Sequence, residues 1–203
     1  MLFVKTPQFI QKFSSSILFR KKTALKQVYL TFDDGPTEEF THWILKLLGS
    51  LNIKATFFCI GENAEQNPYI MSDILERGHI IGNHTYSHKN AFFSSTKSYF
   101  KDIEKCKAVM PKTDLFRPPY GKLFPSQILK IQKHFKIVMW DILSYDFKKN
   151  ISPEKLKQNV LENLENGSII VFHDSVKSEE ILKECLEDIL VKIKENGYTF
   201  STL

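Results

Sequence analysis

The chain has 203 residues, 42% hydrophobic and 25% charged, with 8 glycines and 8 prolines, which suits one globular domain and excludes collagen-like, low-complexity and largely disordered classes. Its formal net charge of +5 is unevenly spread: residues 1–27 carry six bases (Lys5, Lys12, Arg20, Lys21, Lys22, Lys26) and no acid. The body beyond them is near neutral, so nucleic acid, which is met by a basic face on a folded body, is not expected as a partner.

Residues 1–26 read as an N-terminal amphipathic basic segment ahead of a catalytic domain over 27–203. Thr6-Pro7 is a helix-start signal, Phe9, Ile10, Phe13, Ile17 and Leu18 share a stripe, and Arg20, Lys21 and Lys22 follow. The expectation is a short helix within residues 7–22, either packed on the domain or lying on an anionic membrane surface as a peripheral contact. Strands are expected at 27–32, 55–60, 79–82, 115–117, 135–140, 168–173 and 198–203, interleaved with helices. Two helices show the apolar period clearly, 38–51 (Phe40, Trp43, Ile44, Leu47, Leu48, Leu51) and 179–196 (Ile181, Leu182, Cys185, Leu186, Ile189, Leu190, Ile193). Asn166-Gly167 and Asn196-Gly197 are helix stop signals. Continuous apolar strands with helical crossovers predict a parallel α/β sheet, either doubly wound or closed as a barrel.

Cys59, Cys106 and Cys185 are widely spaced within apolar stretches and match neither a zinc motif nor a disulfide framework. No stretch approaches the about 18 consecutive apolar residues of a membrane span. The N-terminal segment has no apolar run of the roughly 7–15 residues found in a secretory signal, so the default compartment is the cytoplasm.

Polar residues that no core would choose follow five strand ends: Asp33-Asp34, His84 with His88, Arg117, Asp146, and His173-Asp174. In parallel α/β folds that face carries the active site, which points to an enzyme. His84 and His88, spaced i and i+4, can aim two imidazoles at one ion that then needs an anionic oxygen. Adjacent carboxylates such as Asp33-Asp34 repel each other unless a cation lies nearby. Two histidines and one carboxylate leave coordination positions open for water and substrate, as in a hydrolytic zinc-type centre or a non-haem iron centre.

Thr31-Phe32-Asp33-Asp34-Gly35-Pro36, Asn83-His84-Thr85-Tyr86-Ser87-His88, Arg117-Pro118-Pro119-Tyr120-Gly121, Trp140-Asp141 through Asp146, and Ile169 to Asp174 resemble, in order, the five motifs of the polysaccharide deacetylases. These are the NodB-homology domains of carbohydrate esterase family 4, and the resemblance runs from about Val28 to the C-terminus. It implies a distorted (β/α)7 barrel and a metal-dependent hydrolase that removes acetyl groups, usually from N-acetylhexosamine units. It further implies Asp34, His84 and His88 as ligands of one divalent metal, zinc first, with cobalt, nickel or manganese as alternatives. Asp33 would be the general base, oriented by Arg117. The backbone N–H of Tyr120 would bind the oxyanion, and Asp146 would pair with His173, the general acid. Tyr120, Phe147 and Val171 would contact the substrate, Val171 from a pocket for the acetyl methyl. Leu143 stands where many relatives carry an aspartate, Phe147 where they often carry tryptophan, and Val171 where leucine is common, so the sugar-contacting wall departs from the pattern while the metal and proton-transfer set is complete. The expected partner is an acetylated carbohydrate. Two rival readings are a metal-dependent amidase acting on a non-sugar C–N bond and a non-catalytic carbohydrate-binding relative.

Overall fold

The computed structural model describes residues 3–13 and 16–203, apart from the side chains of Lys12 and Phe13. In chain order a short helix α1 (Gln8–Phe13) and a strand β1 (Ile17–Leu18) lead into β2 (Gln27–Asp33), α2 (Glu38–Ser50), β3 (Thr56–Cys59), α3 (Gly61–Gln66), α4 (Pro68–Glu76), β4 (Ile80–Asn83), α5 (Thr96–Val109) and β5 (Leu115–Phe116). The second half adds α6 (Pro125–Ile131), β6 (Lys136–Val138), β7 (Ile142–Leu143), α7 (Pro153–Leu161), β8 (Ile169–His173), α8 (Glu179–Glu195) and β9 (Thr199–Ser201). The strands form one sheet in the order β1-β6-β5-β4-β3-β2-β8-β7. All their pairings are parallel. Strand β9 takes the first half of one edge of β2 (Gln27↔Thr199, Tyr29↔Ser201), and β3 takes the second half (Thr31↔Thr56, Asp33↔Phe58). The sheet curls into the distorted (β/α)7 barrel that the sequence implied.

Strand alternation explains how one chain builds both a core and a site. Along β2, Val28, Leu30 and Phe32 pack outward into the large apolar cluster that holds Ile44 and Leu48 of α2 and Leu186 and Leu190 of α8. Tyr29 faces the other way, into a small inner cluster with Phe58, Leu115, Val138 and Ile169. Thr31 and Asp33 share the face of Tyr29, so the inner face turns from apolar to polar as β2 approaches its C-terminal end. The three cysteines are free and buried.

The N-terminal segment differs from the expected helix over 7–22. Helix α1 ends at Phe13, and four residues farther on Ile17 and then Leu18 pair with Ile137 and Val138 of β6; the Phe13 side chain, assigned to the apolar stripe, and Ser14 and Ser15 lie outside the described residues. Three consecutive serines, poor helix formers because their hydroxyls compete for backbone bonds, separate the two apolar halves. The free edge of β6 offers Ile17 and Leu18 a ladder that an isolated helix would forgo. On the other side Lys5 bridges Ile142 and Arg20 bridges Ser168, both antiparallel. The amide of Leu143 donates to Val4 (2.8 Å), that of Thr6 to Asp141 (2.8 Å) and that of Lys21 to Gly167 (2.9 Å). The segment therefore lies in the gap between β6 at one end of the sheet and β7–β8 at the other. Gly167, at φ 82°, lets Lys21 approach: a Cβ there would stand 1.8 Å from the Lys21 carbonyl oxygen.

Buried Asp141 fastens this seam. It faces Lys5 Nζ at 2.8 Å and Arg20 Nε at 3.3 Å, and it accepts from Ser168 Oγ (2.6 Å) and Gln11 Nε2 (3.0 Å). Lys5 and Arg20 also reach Glu165. Among the described residues no helix is long and apolar enough to cross a membrane.

Candidate active site

A cleft of about 930 Å³ opens at the C-terminal ends of the strands, lined by Asp33, Asp34, His84, His88, Tyr120, Phe147 and His173 among others. Seven of the side chains singled out in the sequence thus meet in one cavity. Arg117 and Asp146 lie directly behind it. Val171 does not reach it: it is fully buried in β8, and its neighbour in register, Leu143, lines the cleft instead.

Asp33 ends β2 on the inner face. Its Oδ1 accepts from Arg117 Nη1 at 2.5 Å, and the same nitrogen reaches Thr31 Oγ1 at 2.8 Å. Arg117 is wholly buried, so its charge is tolerable only because every arm is used: Nε meets Val138 O (3.3 Å), Nη2 meets Met139 O (3.0 Å), and its guanidinium carbon lies 4.1 Å from the centre of the Phe58 ring. A cation fixed in this way sets the orientation of the Asp33 carboxylate.

Asp34 has φ 81° and turns away from its neighbour. Its Oδ1 lies 3.4 Å from His84 Nε2 and 3.1 Å from His88 Nε2, and one ligand atom from each residue falls within a 4.8 Å cluster. Among the described residues no hydrogen-bond donor serves that buried oxygen. His84 Nδ1 sits 2.8 Å from the Arg117 carbonyl oxygen; a carbonyl only accepts, so Nδ1 carries the proton and Nε2 presents a lone pair. An unserved carboxylate oxygen beside a ligating nitrogen, with a second imidazole in reach, fits a divalent ion of the zinc type.

The loop from His84 to His88 is tightly bent, with Thr85 at φ 63° and His88 at φ 50°. Its anchor is Asp102 of α5, which sequence reasoning missed. Asp102 Oδ2 accepts from the amides of Tyr86 (2.9 Å) and Ser87 (3.0 Å), and Oδ1 accepts from Ser87 Oγ (2.9 Å). The signal was present: Asp102 shares the buried face of α5 with Tyr99, Ile103 and Cys106, and an acid on an apolar face needs partners. Asp174, named with His173 at the end of β8, is a second buried acid with its own partners. Wholly buried, it accepts from Gly35 N and Thr41 Oγ1, both at 2.9 Å, and a Cβ on Gly35 would collide with it at 1.8 Å. Burial pushes its carboxyl up to about 7. Asn63, also unforeseen, donates from Nδ2 to the Asp34 carbonyl at 2.8 Å.

Across the cleft, His173 ends β8. Asp146 Oδ1 lies 2.7 Å from His173 Nδ1 and Oδ2 accepts the His173 amide at 2.6 Å, while Ser144 Oγ donates to Oδ1 at 2.9 Å. Burial opposes charge on the ring, but the Asp146 carboxylate outweighs it and pushes the imidazolium up to about 9. Phe147 packs edge-on against this ring with centroids 5.0 Å apart. Tyr120, at φ 62° in a 3-10 turn over Pro119–Gly121, sets its ring 4.7 Å from that of His88. The arrangement offers a carboxylate base, a protonated imidazole, and a cluster able to hold a cation, all on one cavity.

Comparison with known proteins agrees with the geometry. The profile of the polysaccharide deacetylase family matches residues 20–140. A peptidoglycan-N-acetylglucosamine deacetylase of Bacillus cereus is 38% identical over 184 residues, which cover 87% of this chain and 66% of the relative. The peptidoglycan-N-acetylglucosamine deacetylase PgdA of Listeria monocytogenes is 34% identical over 183 residues, 88% of this chain and 38% of the relative. The chain therefore spans less than two thirds of the length of either of these relatives. Among solved structures, the Bc1960 peptidoglycan N-acetylglucosamine deacetylase in complex with 4-naphthalen-1-yl-N-oxidanyl-benzamide superimposes with a TM-score of 0.88 at 35% identity, covering 98% of this chain and 95% of that one. BA3943 of Bacillus anthracis, described as a pseudoenzyme of the CE4 family, gives a TM-score of 0.79 at 26% identity over 92% of this chain and 67% of its own.

Proposed function

Because the chain belongs to the polysaccharide deacetylase family, we propose that it hydrolyses acetyl groups from N-acetylated amino sugars of a polysaccharide, oligosaccharide or glycoconjugate, using one divalent metal, zinc by preference. The observation that carries this reading is the pairing, across one cleft, of a carboxylate fixed by Arg117 with an imidazole fixed by Asp146, beside a three-residue cluster whose buried carboxylate oxygen lacks a donor. Asp34, His84 and His88 would hold the metal, and a bound ion supplies polarisation of the acetyl carbonyl and acidifies a water near neutral pH.

The chain's own residues supply the rest. Asp33, oriented by Arg117, takes the proton of the attacking water. His173 enters as the imidazolium favoured by Asp146; with Nδ1 engaged, Nε2 is the nitrogen free to give a proton to the departing amine, which would otherwise leave as a strongly basic anion. The Tyr120 backbone N–H, at the cleft rim, is the donor for the oxyanion. Leu143, which lines the cleft where Val171 does not, takes the contact with the acetyl methyl, and Tyr120 and Phe147 flank the sugar.

The completeness of the acid and base argues against a non-catalytic role. The test is acetate release from N-acetylglucosamine oligomers before chelation, after it, and after zinc is restored. Activity should follow zinc. Asp34→Asn should lose metal first, whereas Asp33→Asn should keep the metal and lose turnover by roughly 10²–10⁴-fold. A zinc-loaded protein that frees no acetate from any acetylated sugar would overturn the assignment.

A further inference from the structure

The three residues of the metal cluster come from two strands that are not neighbours. Asp34 follows β2 and His84 follows β4, and β3 lies between them in the sheet. Two strand spacings put the exits of β2 and β4 about 10 Å apart. The ligand side chains must therefore reach toward each other over β3, and a small shift of either loop opens the cluster. Asp34 Oδ1 nevertheless stands 3.4 Å from His84 Nε2 and 3.1 Å from His88 Nε2.

The turn that leaves β3 is placed to hold that distance. Four consecutive residues of it each give one hydrogen bond to a ligand loop. The amide of Ile60 donates to Gly35 O, that of Gly61 to Thr85 O and that of Glu62 to Tyr86 O, each at 2.9 Å. Asn63 adds its side chain, Nδ2 donating to Asp34 O at 2.8 Å. The three amides belong to the start of α3, where no carbonyl of the helix itself can serve them. The helix start thus satisfies its own orphan donors by holding two loops at once. The approach is close: a Cβ on Gly61 would stand 2.9 Å from the Tyr86 ring and 3.0 Å from Cys106 Cα. Two of the held residues, Asp34 at φ 81° and Thr85 at φ 63°, are left-handed despite carrying a β-carbon, a conformation that persists only where neighbours fix it.

We propose that Asn63 is a positioning residue for the metal, and that the turn Ile60–Asn63 is a splint that sets the distance between the Asp34 carboxylate and the two imidazoles. This rests on the reading of Asp34, His84 and His88 as a metal site, whatever the acetylated substrate. The carbonyl and the side chain of Asp34 hang from one backbone unit, so fixing the direction of the first also fixes where the second points. Asn63 acts on the ion through Asp34 without ligating it, as groups that orient ligands do. Asp102 steadies the histidine loop alone; the turn after β3 joins that loop to the aspartate.

The test is zinc affinity, measured by competition with a chelator, in the unaltered protein, Asn63→Ala and Asn63→Leu. Leucine keeps the volume of asparagine and removes the donor. Both variants should bind zinc about tenfold more weakly or worse. The visible absorption of the cobalt-loaded protein should change in both, because the arrangement of ligands around the ion changes. Without metal, both should unfold within about 4 °C of the unaltered protein, the effect of one lost hydrogen bond. Unchanged zinc affinity and an unchanged cobalt spectrum in both variants would overturn the splint and leave the metal site standing. An unchanged cobalt spectrum with a much larger fall in metal-free stability would assign Asn63 to the fold and overturn it equally. An unaltered protein that binds no zinc would overturn the metal reading itself.

Discussion

His173, held protonated chiefly by Asp146, can be read by pH. Its imidazolium is held up to about 9 against an ordinary value of 6.5, burial opposing and Asp146 prevailing. The rate should therefore fall on the alkaline side as that proton is lost. Asp34 contributes to the upward shift, and a cation bound there cancels its contribution, so the limb of the metal-loaded enzyme should lie below about 9. Asp146→Asn should move it to lower pH by about 1 unit or more, since one close opposite charge is worth that much; pH profiles of kcat for the two proteins check this, and an unmoved limb would assign it to another group. Stability follows the same sign: a raised histidine value contributes stability that is fully present below 6.5 and is lost as pH rises through about 9. Thermal unfolding of the metal-free protein between those limits should show the loss, and Asp146→Asn should flatten it.

At the scale of single elements, Asp102 turns α5 into a support for the ligand loop. Asp102→Ala frees two amides and a hydroxyl in a loop with two left-handed residues, and should weaken zinc binding by roughly 10–100-fold, the usual effect of losing a group that orients ligands. Asp102→Asn keeps an acceptor oxygen for the two amides and should lose less. Competition with a chelator measures both, and equal zinc affinity in all three proteins would reduce Asp102 to a helix-to-loop tie. The contrast with the ligands shows what the sequence could convey. Asp34, His84, His88, Arg117, Asp146 and His173 stand at strand ends where an apolar run stops abruptly, so both position and chemistry were visible. Asp102 stands mid-helix among surface lysines, and only its registry with Tyr99 and Cys106 marks it. Helices α2 and α8 were legible to within a residue because 13 and 17 residues repeat one period. Strands β1 and β7, two residues each, have no period to read and exist because other strands offer them an edge. For the same reason the stretch expected as one strand over 135–140 is the shorter β6, after which the chain bends at Trp140-Asp141 and resumes as β7.

For the molecule as a whole, the seam decides whether the curled sheet behaves as a barrel. Asp141→Ala would leave Lys5 and Arg20 with the exposed Glu165 as their one remaining shared carboxylate among the described residues. Removing one partner of a buried ion pair costs about 3–5 kcal/mol, and because Lys5 and Arg20 keep some access to water the loss should fall near the lower end. Urea unfolding measures it. The zinc affinity of the folded protein should be unchanged, since Asp141 contacts no ligand; a stability like that of the parent would show that the backbone ladders alone hold the seam.

That seam also has a history in time. Lys5 and Arg20 bond to residues 136 and 145 positions farther along the chain. At synthesis rates of roughly 5–20 residues per second, residues 4–21 emerge on the order of ten seconds before the strand and ion-pair partners of the seam exist. During that interval a strand with Ile17 and Leu18, and a run of unpaired lysines, have nothing of their own chain to join. A segment made well before the strands it joins is thus among the last parts of this domain to be placed.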